Sequence, residues 1–176
     1  MFSPNQLVVY PAQGVGRVER IEHQEIGGVG MELYIVRILS NNITLMVPVA
    51  TAKNVGLRPL GDRDKAQDII ASLQDRSTFT GHIGQNWNRR FREYSDKLKS
   101  GDLTDVCHVL KELILISGGK ELSFGERRLQ EQAMALVSIE LACILDRNLE
   151  DVKLLMESFF VDILQKEPED KKLEKK

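Results

Sequence analysis

The residues of this chain best equipped for chemistry sit together in the segment Asn86-Trp-Asn-Arg-Arg-Phe-Arg-Glu-Tyr94, which holds the only tryptophan and three arginines, Arg89, Arg90 and Arg92. An indole among guanidinium groups suits nucleic acid. Arginines neutralise phosphates, and a flat apolar ring stacks on a base or wedges into an opened step. Arg127 and Arg128 add positive charge just past a helix start, where free backbone N–H groups also favour phosphate. Helix geometry complicates this reading. At about 100° per residue, Phe91, Tyr94 and Leu98 fall within about 40° of Trp87, which puts the ring on an apolar stripe. Arg90 and Lys97 flank that stripe at roughly 60–80°, while Arg89 and Arg92 point largely across the helix. Spacing alone leaves two roles open: Trp87 as the first core residue of its helix, or as a ring projecting from the first turn toward nucleic acid.

Other reactive residue types form no constellation. His23, His82 and His108 fall in a strand, a loop and a helix, and none has a second ligand at metal spacing. Cys107 and Cys143 make no CxxC pair and lie within apolar helical patterns, so buried, reduced thiols are expected. Gly14-Val15-Gly16 lacks the third glycine and the helix of a dinucleotide fingerprint and reads as a strand turn. Carboxylates cluster only where they cap or solvate helices, as at Glu167, Glu169 and Asp170. A non-enzymatic binding protein with neither cofactor nor metal is therefore expected. Hydrophobic and charged fractions of 42% and 28% are those of a soluble globular protein. No apolar run reaches the length of a membrane span, and MFSPNQLVVYP does not read as a secretory signal, so a cytoplasmic location is expected.

Two kinds of element must position these residues. The first sixty residues read as short strands: LVVY (7–10), Val15 to Ile26, MELYIVRIL (31–39) and ITLMVPV (43–49). GGVG (27–30) and Asn41-Asn42 supply turns, and the set suggests a small twisted barrel of about five antiparallel strands. In ITLMVP, Ile43, Leu45 and Val47 share one face; Thr44, Met46 and Pro48 share the other. Pro48 cannot donate to a ladder, so this strand is expected at an edge. Met46 is then either exposed for a partner that adds to the edge, or covered by the helical part.

At Leu60-Gly61 the apolar spacing turns helical. Ala66, Ile69, Ile70 and Leu73 make one stripe, and a loop from Asp75 to Gln85 follows. The Trp87 stripe is next, then Leu103, Val106, Cys107, Leu110, Leu113 and Ile114. Gly118-Gly119 ends that helix, and Ser123-Phe-Gly-Glu126 is a capping box opening a fourth helix that runs to about Leu145. Asn148 caps a fifth, packed through Val152, Leu155, Met156, Phe159 and Ile163. The charged end, KEPEDKKLEKK, reads as a disordered tail.

Taken together, VVYPAQGVGRVERIE, MELYIVRI and TLMVPVATAKNVGLR resemble the RNA-polymerase-interacting domain of the CarD/CdnL family. NWNRRFREYSDKLKSGDL and LSFGERRLQEQA resemble that family's helical domain. The resemblance covers roughly Leu7 to Phe159. VVYP with a glycine turn is weakly specific alone; followed by MVPV, NWxRR and LSxGE(R/K)R, it is highly specific. It implies an α+β chain, with an N-terminal Tudor-like small β-barrel followed by a C-terminal all-α five-helix domain. Residues 1–60 would be the polymerase-interacting domain, 61–165 the helical DNA-interacting domain and 166–176 the tail.

The function implied is bacterial regulation of transcription initiation by a monomer that reaches the nucleoid through RNA polymerase. The β part would dock on the polymerase β subunit. The helical part would meet promoter DNA at the upstream edge of the bubble with little sequence specificity, and there Trp87 would wedge into the minor groove and stabilise the open complex. Arg90, Arg92 and Arg127 match DNA-contacting positions, and Arg89 and Arg128 extend the cluster. Val36, Met46 and Pro48 match polymerase-contacting positions. Some relatives carry arginine where this chain has Gln24 and Met46, which implies a more apolar docking surface here. Polymerase-interacting modules of this type also occur in transcription-repair coupling proteins, so an adaptor that holds polymerase without touching DNA is the alternative.

Overall fold

Strand pairing organises the first part of the chain. The computed structural model describes residues 1–77 and 87–164, with the backbone only at Ile26. Strands β1 (Leu7–Tyr10), β2 (Gly14–Ile26), β3 (Val29–Ile38), β4 (Thr44–Pro48) and β5 (Arg58–Pro59) form one antiparallel sheet in the order β4-β3-β2-β1-β5. Ile26 pairs with Val29, so the long hairpin closes through Gly27 and Gly28 alone, both at positive φ. That conformation matches the twist of the flanking strands and suits glycine, which is why the expected four-residue turn shrinks to two. The sheet is open: among the described residues β4 and β5 do not pair, so the expected closed barrel is not what the strands build. β5, only two residues long, cannot carry a ladder round to β4. A core of Val8, Val18, Tyr34, Val36, Ile38, Val47, Ala52 and Leu57 fills the sheet's concave side.

The helices begin where short-range hydrogen bonds permit. α1 (Arg63–Gln74) starts at Asp62, whose carboxylate accepts from the Lys65 N–H. α2 spans Trp87–Ser100 and α3 spans Leu103–Ser117. α4 (Phe124–Leu145) opens on the Ser123–Glu126 capping box, and Asn148 caps α5 (Leu149–Ser158). A sixth helix, α6 (Val161–Leu164), replaces the end of the expected fifth. The N–H of Phe159 reaches back only to Met156 and that of Phe160 to Glu157, which tightens the chain and ends α5. Arg76 then donates to the freed Phe159 carbonyl and pairs with Asp162 of α6. The break adds Phe160 to the core beside the partly buried Phe159 and Ile163, which pack against it as expected. His82 and the Asp75–Gln85 loop beyond Ser77 lie outside the described residues, as does the charged tail.

One junction fixes the helices against the sheet. Arg58 of β5 donates two parallel hydrogen bonds to the Glu140 carboxylate of α4, at 2.7 and 2.8 Å, and a third at 2.7 Å to the Gly101 carbonyl between α2 and α3. Glu140 is 4% exposed. Beside the pair, Pro11 lies between two glycines at positive φ: a Cβ on Gly56 would come within 2.7 Å of its Cγ, and one on Gly101 within 3.0 Å. Gly14 of β2 similarly admits Leu136 of α4. The space left at this junction is only about 20 Å³.

A carboxylate this buried is costly without its cation. Arg58→Ala should therefore lower unfolding free energy by about 2–4 kcal/mol, since the loss of one partner strands the other. Arg58→Lys should recover only part of it, because an ammonium cannot reproduce the two-pronged bond. Urea denaturation of the three proteins checks the order.

Candidate nucleic-acid and polymerase interfaces

The first turns of α2 and α4 lie side by side and bring Trp87, Phe91 and Arg90 of α2 up to Gly125 of α4. Trp87 is half-buried, its ring laid over Gly125 of α4 so closely that a Cβ there would sit 3.0 Å from Cζ2. The Phe91 ring is 5.5 Å away and tilted, and the Arg90 guanidinium lies 5.9 Å above the indole. Trp87 thus meets both readings of its spacing: one side packs on α4, and part of the ring stays in solvent. Tyr94 and Leu98, further along the stripe, are fully core, while Phe91 is exposed. Burial and a hydrogen bond to Glu112 push the Tyr94 hydroxyl well above its ordinary pKa.

The arginines divide. Arg90 is buried and directs Nη2 at Glu126, 3.3 Å away. Its side chain supports the α2–α4 contact from below, so the DNA-facing role expected of it does not fit this geometry. The helical projection already placed Arg90 beside the apolar stripe; what it could not show was a carboxylate 36 residues away waiting there. Arg89, Arg92, Arg127 and Arg128 are exposed. Arg127 lies 3.7 Å from Glu121, a loose surface pair of little energetic weight. Phe124, the first residue of α4, is 83% exposed and stands beside Gly125, against which Trp87 packs. Sequence reasoning passed over it. The available signal was a large apolar residue at the first position of a capped helix, with no apolar neighbour in its own turn to cover it.

Glu126 holds this face together. Its carboxylate closes the capping box on the Ser123 N–H at 2.8 Å, takes the Lys120 ammonium at 2.9 Å and meets Arg90. Burial alone would raise its pKa, but the Lys120 ammonium and the Ser123 N–H and hydroxyl outweigh burial and hold it below the usual carboxylate range.

On the sheet, register decides what is accessible. Val36 pairs with Val18 on one side and Leu45 on the other, faces the β core and is fully buried. It cannot touch a partner in this arrangement; its part is to pack the sheet. Met46 pairs with Ile35 and Pro48 with Leu33, on the opposite face. Met46 is 63% exposed on β4, which is an edge strand as Pro48 suggested, and Pro48 is half-buried.

The remaining reactive groups are quiet. His23 is exposed on β2, and His108 contacts Glu112 at 2.9 Å. Cys107 is buried, its thiol pushed up to about 11 by desolvation; Cys143 is only half-buried, where full burial was expected, and burial raises it too. Among the described residues no cluster of three or more His, Cys, Asp or Glu could hold a metal, and no helix is long and apolar enough to cross a membrane.

An antiparallel sheet followed by a helical domain is the two-part build of a class of transcription regulators, and comparison with known proteins places the chain in it. The domain family described as "CarD-like/TRCF RID domain" matches residues 2–61, and that described as "CarD, C-terminal domain" matches residues 68–157. The chain belongs to the CarD/CdnL family, whose N-terminal domain is an RNA-polymerase-interacting domain. A Bacillus subtilis (strain 168) protein named "Putative transcription factor YdeB" is 26% identical over 149 residues, which are 82% of this chain and 92% of that protein.

The Glu126 network makes an acid-sensitive prediction. A group whose folded pKa lies below its unfolded value stabilises the fold above the ordinary value of 4.5, and that contribution fades as pH falls through the folded value. Glu126→Gln should cost about 1–3 kcal/mol at neutral pH and flatten the fall in stability between about pH 6 and pH 3. Denaturant melts across that range read both effects.

Proposed function

We propose that this protein regulates transcription initiation by docking its sheet on the RNA polymerase β subunit and stabilising the promoter open complex through Trp87 at the upstream edge of the bubble. The observation that carries the reading is the partly exposed indole resting on Gly125 at the α4 start, with Arg127 and Arg128 exposed a few residues further along α4 and Arg89 and Arg92 exposed elsewhere on α2. An indole packed on one side against Gly125 is held rigid, so part of the ordering cost of inserting it into DNA is met before binding. The arginines supply phosphate contacts without reading base edges, which suits binding set by DNA shape and opening rather than by sequence. A few such contacts give weak, salt-sensitive affinity for free DNA. Tethering to polymerase raises the local concentration at one promoter position. The protein then works as a monomer wherever bacterial RNA polymerase works, in the cytoplasm.

Docking is assigned to the β4 edge and the outer face that carries Met46 and Pro48. Met46 is unbranched, flexible and exposed, a side chain suited to an adaptable apolar contact. Arg90 drops out of the DNA-contacting set and takes a supporting role. Its commitment to Glu126 is also the one observation favouring the second reading, an adaptor that holds polymerase without meeting DNA.

Two measurements test the reading. Trp87→Ala should shorten open-complex lifetime roughly tenfold, as expected when about 1–2 kcal/mol of ring–base contact is lost. Equal lifetimes, with folding and polymerase binding intact, select the adaptor. Met46→Glu should weaken binding to the isolated β subunit about tenfold, by placing a charge in an apolar contact, while leaving thermal stability unchanged. Undiminished binding would move the docking site away from this edge.

A further inference from the structure

Between α2 and α4, next to the Gly125 on which Trp87 rests, lies a groove of about 470 Å³ that shares Arg128 with the wedge and is apart from the docking edge. Phe91 and Phe124 line it, with Lys99 and Arg128 as its cations and Ser95 and Gln132 as its neutral polar groups. Its lining contains no carboxylate. Phe124 is 83% exposed, an unusual amount of apolar surface to leave in water at a position where a polar residue would serve the helix start equally well.

We propose that this groove receives an unpaired nucleobase of the opened promoter strand, with Phe124 as its stacking platform. The proposal rests on the reading of Trp87 as a ring at the bubble edge, and it names what happens to the base displaced there. Charge chooses the occupant. An apolar helix of a partner protein would gain nothing from two cations and would meet no acidic counterpart, whereas a nucleotide brings a phosphate for Arg128 and Lys99 together with a flat ring for Phe91 and Phe124. Ser95 and Gln132 both donate and accept, so they can bond base edges without demanding one base. Stacking on an aromatic face is likewise tolerant of sequence. The groove therefore discriminates single-stranded from paired DNA rather than one sequence from another. Phe124 is the chain neighbour of Gly125, on which the Trp87 ring rests, so a base leaving the step opened by Trp87 has a short path to Phe124.

The full-length protein is titrated at low salt into a DNA fork whose unpaired base next to the duplex is a fluorescent analogue, and into the same sequence fully paired. Wild type should bind the fork more tightly and quench the analogue. Phe124→Ala should lose at least roughly fivefold in fork affinity, with most of the quenching and without loss of thermal stability, while paired DNA binds as before. Phe124→Tyr should restore both. Fork affinity and quenching that are unchanged in Phe124→Ala but lost in Trp87→Ala overturn the groove and leave the wedge standing. Loss in Phe124→Ala with none in Trp87→Ala supports the groove and removes the wedge. No preference for the fork in wild type overturns both.

Discussion

The Arg58–Glu140 ion pair determines what every other feature of this molecule can do. A sheet edge and a basic aromatic face on separate modules could not act at two fixed points of one assembly if the modules swung freely. The pair opposes this through a two-pronged hydrogen bond between β5 and α4. Glu140 is almost wholly out of water, so losing Arg58 while the modules stay packed leaves an unpaired charge in a low-dielectric setting. The two-pronged geometry adds direction, and the third bond from Arg58 to the Gly101 carbonyl ties the start of α3 to the same guanidinium. Pro11 then locks the position sterically, because only glycines at 56 and 101 let it come so close.

A second carboxylate repeats the device at smaller scale. Glu126 caps α4, holds Lys120 and meets Arg90, so one side chain sets the helix start and the height at which Trp87 rests on Gly125. Arg90 is at once a counter-ion for Glu126 and a cation above the indole. The exposed face rests on this buried ion-pair network, which holds the α2 and α4 starts together from underneath.

Rigid placement has a consequence for binding. Trp87 is the first residue of α2 and packs on Gly125, and Phe124 opens α4 on its capping box. A ligand meeting them orders little. Discrimination then depends on whether the ligand already offers an opened step and a free base, which is a property of the DNA rather than of a closing protein.

Much of this was legible in the residues before any fold. Ser123 and Glu126 three positions apart, Asn148 before an apolar stripe, paired glycines between alternating strands and Pro48 near a strand end all act within a few residues. Local hydrogen bonding and sterics determine them, and the structure agrees. The same holds for the motif series that marks the family. What only tertiary structure decided is which side of each element finds a distant partner. Arg90 and Arg92 look alike in sequence, yet one meets Glu126 and the other meets solvent. Val36 and Met46 both read as apolar strand residues, yet register turns one inward and the other out. Phe160 joins Phe159 at the core where Arg76, far off in sequence, takes the Phe159 carbonyl. Phe124 stays exposed, with no described segment folded over it. Burial is a relation between segments remote along the chain, so periodicity can propose a face but cannot say what, if anything, will cover it.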